Sequence, residues 1–237
     1  MIDHNAPVSA YMQLMQHFSD AIAQGKYKPG DKLPSESTMC REFGVSRTTV
    51  RQALQLLTQQ DLIFSVHGRG SFVKMPSITS ELTKITSFGQ VLQQKGLSGY
   101  TRIHGYTSAE HACLGKEAAC LELLGYISDA PAVYYRSWFS ADLGEKMWQS
   151  AKQAENTNSA FSTYDLYDNL SIVRSRVEQT IRAINASDEL AQILCVPVGM
   201  ALITLESVYY AADGAVLEYK TGYYRSDMYS FDVQRDI

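Results

Sequence analysis

Phe43-Gly44-Val45-Ser46-Arg47-Thr48-Thr49-Val50-Arg51-Gln52-Ala53-Leu54-Gln55-Leu56-Leu57 reads as the junction of two helices. Gly44 can adopt the left-handed backbone that ends one helix. Ser46 is a good N-cap for the next, and Val45 with Val50 has the spacing of a hydrophobic staple. On a helical wheel Val50, Ala53, Leu54 and Leu57 share one face, whereas Arg47, Thr48, Arg51, Gln52 and Gln55 share another. A short helix, a glycine turn and a second helix with Arg, Thr and Gln near its start is the helix-turn-helix pattern, whose second helix enters the DNA major groove. An ordinary amphipathic surface helix has the same periodicity, so this stretch needs support from its surroundings.

The support lies downstream. Leu62-Ile63-Phe64-Ser65-Val66-His67-Gly68-Arg69-Gly70-Ser71-Phe72-Val73 places two β-prone runs around a Gly-x-Gly tip carrying His67 and Arg69, the pattern of a hairpin. A basic hairpin after a recognition helix makes a wing, whose arginine suits the negative potential of a minor groove. Upstream stands Pro29-Gly30-Asp31-Lys32-Leu33-Pro34-Ser35-Glu36. In this order the signals, over residues 8–74, resemble the GntR family of bacterial transcription regulators.

The chain has 237 residues, 45% hydrophobic and 19% charged, a globular composition long enough for about two domains. The formal charge of −4 is unevenly spread. Residues 1–76 hold eight Lys/Arg against six Asp/Glu, net +2, and the remainder 13 against 19, net −6. A mildly basic head on an acidic body suits a DNA binder that relies on a few well-placed cations and on paired heads. Cys40, Cys113, Cys120 and Cys195 are too scattered for a zinc site or a disulfide framework, so no metal and no cofactor is expected. The N-terminus lacks the character of a secretory signal and no apolar run reaches membrane-span length, which points to the cytoplasm and to no membrane partner.

Along the chain, Ser9 caps a first helix with Tyr11, Leu14, Met15, Phe18 and Ile22 on its apolar face, and Ser35 caps a brief helix at 36–43 that turns Met39, Cys40 and Phe43 inward. The recognition helix runs from Arg47 to about Gln60. Domain boundaries are expected at 1–75 for the winged helix-turn-helix, 76–84 for a short linker and 85–237 for the larger body. In the body, helices are expected at 86–95, 108–114, 142–151, 164–170 and 188–194. Strands are expected at 100–107, 119–127, 132–139, 171–184, 201–211 and 215–225. A loop is expected at 153–159, and turns at Asp129-Ala130-Pro131 and Asp213-Gly214. Short helix, strand, Asp-containing turn, strand occurs at 108–139 and again at 187–225. We read this echo as two halves of one antiparallel sheet with helices upon it.

That arrangement resembles the UTRA effector-sensing domain of the HutC subfamily, with Asp213-Gly214 before Leu217-Glu218-Tyr219 and Tyr224-Arg225-Ser226-Asp227 before Tyr229 and Phe231. The fold class implied is α+β: an N-terminal winged helix-turn-helix followed by a UTRA-like, chorismate-lyase-like domain with a mostly antiparallel sheet and flanking helices.

For DNA, the resemblance implies contacts by Ser35, Arg47, Thr48, Thr49 and Arg51, and by His67, Gly68, Arg69 and Gly70 at the wing tip. Arginine can fork onto a guanine edge and threonine hydroxyls can bond phosphates. Ser37 stands where the family usually carries Arg. For the effector, the resemblance implies Ser87 and Phe88, which could offer a helix N-terminus to an anion, with Glu218 and Tyr224. The Arg-x-Arg of many relatives is absent, Leu123 and Gly125 standing in its place, and a common Glu is Tyr135. Arg136, Arg174, Arg176 and Arg182 are the candidate anion partners. The dense tyrosines also suit an aromatic-lined pocket.

These readings imply a ligand-responsive repressor, released from a pseudo-palindromic operator in double-stranded DNA by a small anionic or aromatic metabolite, and acting as a homodimer. Two alternatives remain open: a constitutive DNA-binding protein whose body only dimerises, and a chorismate-lyase-like enzyme. Against the enzyme, no catalytic triad or metal-ligand spacing is visible.

Overall fold

The computed structural model describes residue 2 and residues 7–66, 70–74, 78–81 and 87–232, and the chain divides into two compact units, Met1–Pro76 and Ser77–Ile237. In the first, α1 (Ala10–Ala23), α2 (Glu36–Phe43) and α3 (Arg47–Gln59) are followed by β1 (Ile63–Val66) and β2 (Gly70–Val73). The local signals act as expected. Ser35 Oγ accepts from the Thr38 amide at 3.1 Å and Ser46 Oγ from the Thr49 amide at 3.1 Å. Gly44 holds φ 65°, in the left-handed region that a Cβ disfavours, so α2 ends and α3 can turn away from it. Ser9 precedes α1 but its side chain makes no capping bond.

The apolar faces of all three helices meet in one core. Leu14, Phe18, Met39, Val50 and Leu57 are buried with Leu33, and Ile63 and Val73 of the hairpin join them. The wing is therefore fixed by its root. β1 and β2 pair antiparallel from Ile63↔Val73 to Val66↔Gly70, and the 30–33 segment bonds to β2 through Gly30 N–Val73 O and Leu33 N–Ser71 O.

The second unit contains β3 (Ile78–Glu81), α4 (Phe88–Gln94), β4 (Gly99–His111), β5 (Gly115–Ile127), β6 (Ala130–Phe139), α5 (Ala141–Glu155), α6 (Thr163–Asn169), β7 (Arg176–Asn185), α7 (Asp188–Leu194), β8 (Ala201–Tyr210), β9 (Val216–Arg225) and β10 (Tyr229–Asp232). Six strands form one antiparallel sheet in the order β4-β5-β6-β9-β8-β7. Two meanders of three strands meet at β6–β9, so the protein is α+β, and the two halves do build one sheet. Helix α5 lies on one face, so close that a Cβ on Gly144 would collide with Ala119. Helix α7 covers the other, packing Ala191 and Leu194 against Leu124, Tyr134 and Leu202.

Three expectations are corrected. Ser108–Leu114 is no helix: Ser108 pairs with Ala119, Ala109 with Ala118 and His111 with Gly115, so β4 runs on into a tight hairpin. The segment has no apolar stripe to bury, and ladder bonding satisfies its backbone instead. The β5–β6 turn is Ser128-Asp129, both with positive φ (47° and 66°), the geometry that suits the twist of a two-residue hairpin. Residues 171–175 precede β7 and are not part of it. Within the segment read as a linker, Ile78–Glu81 pairs in parallel with β10.

Candidate nucleic-acid interface and effector cleft

Helix α3 presents Arg47, Thr48, Arg51, Gln52 and Gln55 to solvent, because its other face is spent on the core. Arg51 Nε bonds Glu36 Oε2 at 3.0 Å, with the arginine side chain 70% exposed and the glutamate 39%. Thr49 is half-buried and shares a 2.8 Å bond with Ser46 Oγ, so its hydroxyl is engaged in holding the helix start. Ser35 Oγ is similarly committed, to Ser37 Oγ and Thr38 Oγ1 at 2.9 and 2.7 Å. Gly70 begins β2 beside Lys32. His67, Gly68 and Arg69 lie outside the described residues. Between α3 and the wing runs a groove of about 740 Å³ lined by Lys32, Ser35, Arg51, Gln55, Ser65 and Gly70 among others. Lys32 was not among the expected contacts, although its place in the Pro-Gly-Asp-Lys turn beside the wing could have suggested it.

In the second unit a cleft of about 410 Å³ opens between α4, α6, β7 and β8, lined by Ser87, Gln90, Tyr164, Asp165, Asp168, Arg174, Arg176 and Tyr209 among others. Arg174 dominates it. Its Nη2 meets Asp168 Oδ1 at 2.6 Å, its Nη1 donates to the Tyr164 carbonyl at 3.3 Å, and its Cζ stands 4.4 Å from the Tyr164 ring centre and 5.0 Å from that of Tyr167. A guanidinium stacked on two rings and tethered at two points is fixed in direction, which suits it to a planar anion. Ser87 lines this cleft, but its amide is taken by Gln90 Oε1 and its hydroxyl by the Gln90 amide in a reciprocal cap.

Register decides which expected effector residues share a face. Tyr135 pairs with Gly222, Gly222 with Leu205 and Leu205 with Ile181; the next row is Tyr134, Tyr223, Thr204 and Arg182. Adjacent rows point to opposite sides. Tyr135, Glu218 and Tyr224 therefore share one face, with Phe88 and Ser87 above it, whereas Arg136 and Arg182 project from the other. Arg136 faces Glu122 at 3.3 Å, and Arg182 lies exposed on the edge strand with Glu206 at 3.4 Å. Arg176 sits at the cleft rim, paired with Glu178 and stacked on Tyr210. Gly125 has a close neighbour: a Cβ there would lie 2.8 Å from both Phe88 Cε1 and Val133 Cγ1, so the buried Phe88 ring fills the space above it. Tyr135 and Tyr224 meet edge to face at 5.8 Å.

Beneath the cleft the same face carries residues that were not singled out, Lys220, Tyr164 and Tyr167. Burial pushes the Tyr164, Tyr167 and Tyr209 phenols up, with Glu218 adding to the rise, and pulls the Lys220 ammonium down. A lysine at an inward position of an alternating strand was the available signal.

Residues 10–73 match the model of the gntR family of bacterial regulatory proteins, and residues 108–230, more than half the chain, match the UTRA domain. The chain belongs to the GntR family, in its UTRA-bearing HutC branch. It is similar to the HTH-type transcriptional repressor NagR of Bacillus subtilis, 28% identical over 97% of this chain and 96% of that protein. It also resembles the mannosyl-D-glycerate transport/metabolism system repressor MngR of Escherichia coli, 27% identical over 93% of each. Among solved structures, PhnF from Mycobacterium smegmatis shares the fold, with a TM-score of 0.63 and 21% identity over 95% of this chain and 98% of that one.

This GntR/UTRA protein is a ligand-responsive transcription repressor, with a winged helix-turn-helix for DNA and a UTRA domain for the effector. Among the described residues of the regulator, no helix is long and apolar enough to cross a membrane.

Proposed function

We propose that the regulator grips a pseudo-palindromic operator as a homodimer in the cytoplasm, and that a small anionic metabolite seated against Arg174 releases it. The cleft around Arg174 carries this reading, because it offers a half-buried, oriented guanidinium with aromatic walls and polar side chains from four elements. On DNA, Arg47 and Arg51 reach bases or phosphates, Thr48 bonds phosphate, and Lys32 adds a phosphate contact beside the wing. Ser35 and Thr49 contribute by ordering the helix starts. His67, Gly68, Arg69 and Gly70 are proposed for the adjacent minor groove.

Dimerisation follows from the need to span two half-sites one DNA turn apart. Strand β7 supports it, being the last strand of its sheet with Ile181 43% exposed. Antiparallel self-pairing centred on Thr180 sets Glu178 opposite the partner's Arg182, and Gln179 opposite the partner's Ile181, so the edge is self-complementary in charge.

Thermal-shift screening against a metabolite panel, followed by anisotropy on operator DNA, tests the reading. Arg174→Met should leave affinity for operator DNA within about twofold and raise the effector concentration needed for release more than tenfold, the loss of a charge-assisted bond. An unchanged effector response in that variant refutes the cleft assignment.

A further inference from the structure

Below the Arg174 cleft lie two buried charges that do not pair with each other. Glu218 is 0% exposed, and its carboxylate oxygens have only the Tyr167 hydroxyl turned toward them, beyond ordinary hydrogen-bond geometry. Lys220, two residues along the same face of β9, is 7% exposed. Its Nζ donates to Thr163 Oγ1 at 2.8 Å and stands 4.5 Å from the Tyr135 ring centre. No ion pair joins it to Glu218, although each lies in the other's field.

The pair adjoins the cleft. The Tyr164 ring has Arg174 Cζ at 4.4 Å and Lys220 Nζ at 5.8 Å, so this one ring is shared by the cation of the cleft and the buried one. Tyr209 lines the cleft and is paired in register with Glu218. The buried Tyr164 and Tyr167 hydroxyls have only loose neighbours, Tyr209 and Glu218 in turn, and neither closes a bond of ordinary geometry. A folded chain keeps an unpaired buried carboxylate only at a cost in stability, which a ligand group can relieve.

We infer that Glu218 and Lys220 form the inner recognition pair of the effector site, and that the effector is a small zwitterion. Its anionic group bonds the Lys220 ammonium, with Arg174 reinforcing the field. Its ammonium bonds the Glu218 carboxylate, against tyrosine faces that favour a cation. The two side chains spring from positions about 6.7 Å apart on one face of the strand, so they can address opposite ends of one small molecule. This assignment rests on the cleft being the effector site.

The test uses the full chain, with Glu218→Gln, Lys220→Met and Arg174→Met beside the wild type. Two readouts are needed: melting without ligand, and thermal shift with three probe sets. These sets are the twenty amino acids with glycine betaine, simple carboxylates such as acetate and succinate, and inorganic phosphate with glucose 6-phosphate. At least one zwitterion should stabilise the wild type more than any compound of the other sets. Glu218→Gln should lose that preference more than tenfold in apparent affinity, and Lys220→Met should lose binding of both zwitterion and carboxylate. Because Glu218 closes no ion pair, Glu218→Gln should melt at or above the wild-type temperature without ligand, which a purely structural carboxylate would not do. No stabilisation by any zwitterion, or an unaltered preference in Glu218→Gln, overturns the proposal. If Arg174→Met loses the response while Glu218→Gln keeps the preference, the cleft stands and the inner pair falls. If Arg174→Met keeps the response, the cleft reading itself falls.

Discussion

Arg51→Ala separates folding from DNA contact, because the structure bounds both effects. The arginine is 70% exposed and its one ion pair, with Glu36, is 39% exposed on the acid side. An exposed pair of this kind contributes about 0.2–1 kcal/mol. Alanine returns a little of that through helix propensity. The loss in melting temperature should therefore stay below about 5 °C for a unit of this size. On DNA the same side chain is worth about 1–3 kcal/mol per head. A symmetric dimer doubles the figure, so affinity should fall by roughly thirty-fold to more than a thousand-fold, at 1.4 kcal/mol per decade. Fluorescence anisotropy from 50 to 200 mM salt reads the kind of contact as well as its size. Loss of a phosphate contact from each head lowers the slope of log K against log salt by about 1.8; loss of a base contact relaxes sequence preference instead. Glu36→Gln frees Arg51 from its partner and should tighten binding by up to about fivefold per head, roughly thirtyfold for the dimer, the reverse of the same interaction. Binding by Arg51→Ala within twofold of wild type, with folding intact, would falsify the placement of α3 on DNA.

Gly144→Ala drives a methyl into Ala119 beneath α5 and should cost about 1–3 kcal/mol, read as a lower denaturant midpoint at unchanged slope. Ile181→Pro removes an edge donor from β7; light scattering should show monomers whose operator affinity has collapsed, and an intact dimer would exclude this edge. Alkali should unfold the protein steeply. Tyr135, Tyr167, Tyr209, Tyr224 and Tyr229 are buried with phenols pushed up, Tyr224 to about 12. Above the ordinary phenol value of about 10 the unfolded chain loses protons that the folded chain keeps, so stability falls with pH by up to about 1.4 kcal/mol per unit for each tyrosine. Lys220, pulled down, works the opposite way up to the ordinary ammonium value, one group against five. Tyrosinate absorbance and far-UV dichroism should change together; phenols titrating at their ordinary value without unfolding would contradict the burial.

The head was legible because its signals are local. Ser35, Gly44 and Ser46 mark helix ends within three residues of the bonds they make, and the 3.6-residue period of Val50, Ala53, Leu54 and Leu57 names the buried face directly. In the body the same style of reading failed at Ser108–Leu114. That stretch has no period of its own, and its conformation is set by a partner strand beginning at Gly115. Ser128-Asp129 was missed for a related reason. Neither residue is glycine, and the positive φ of both is imposed by the strands they join.

The effector site shows where pattern reading runs out. Every arginine on the sheet strands looks alike as a candidate anion partner, yet a shift of one residue in register moves a side chain to the other face. Arg136 and Arg182 fall on the side away from Tyr135 and Glu218, while Arg174, just before β7, reaches the cleft through its stacking on α6. Only pairing across β6, β9, β8 and β7 distinguishes them, and no local window contains it. The same pairing turns Lys220 from an anonymous strand lysine into a buried cation under that cleft. On the proposed reading, what the repressor senses is written in the meeting of α6 with β9, some fifty residues apart, whereas how it holds DNA is written in fifteen consecutive residues. Changes confined to the inner face can therefore retune the effector while leaving the helix that reads DNA untouched.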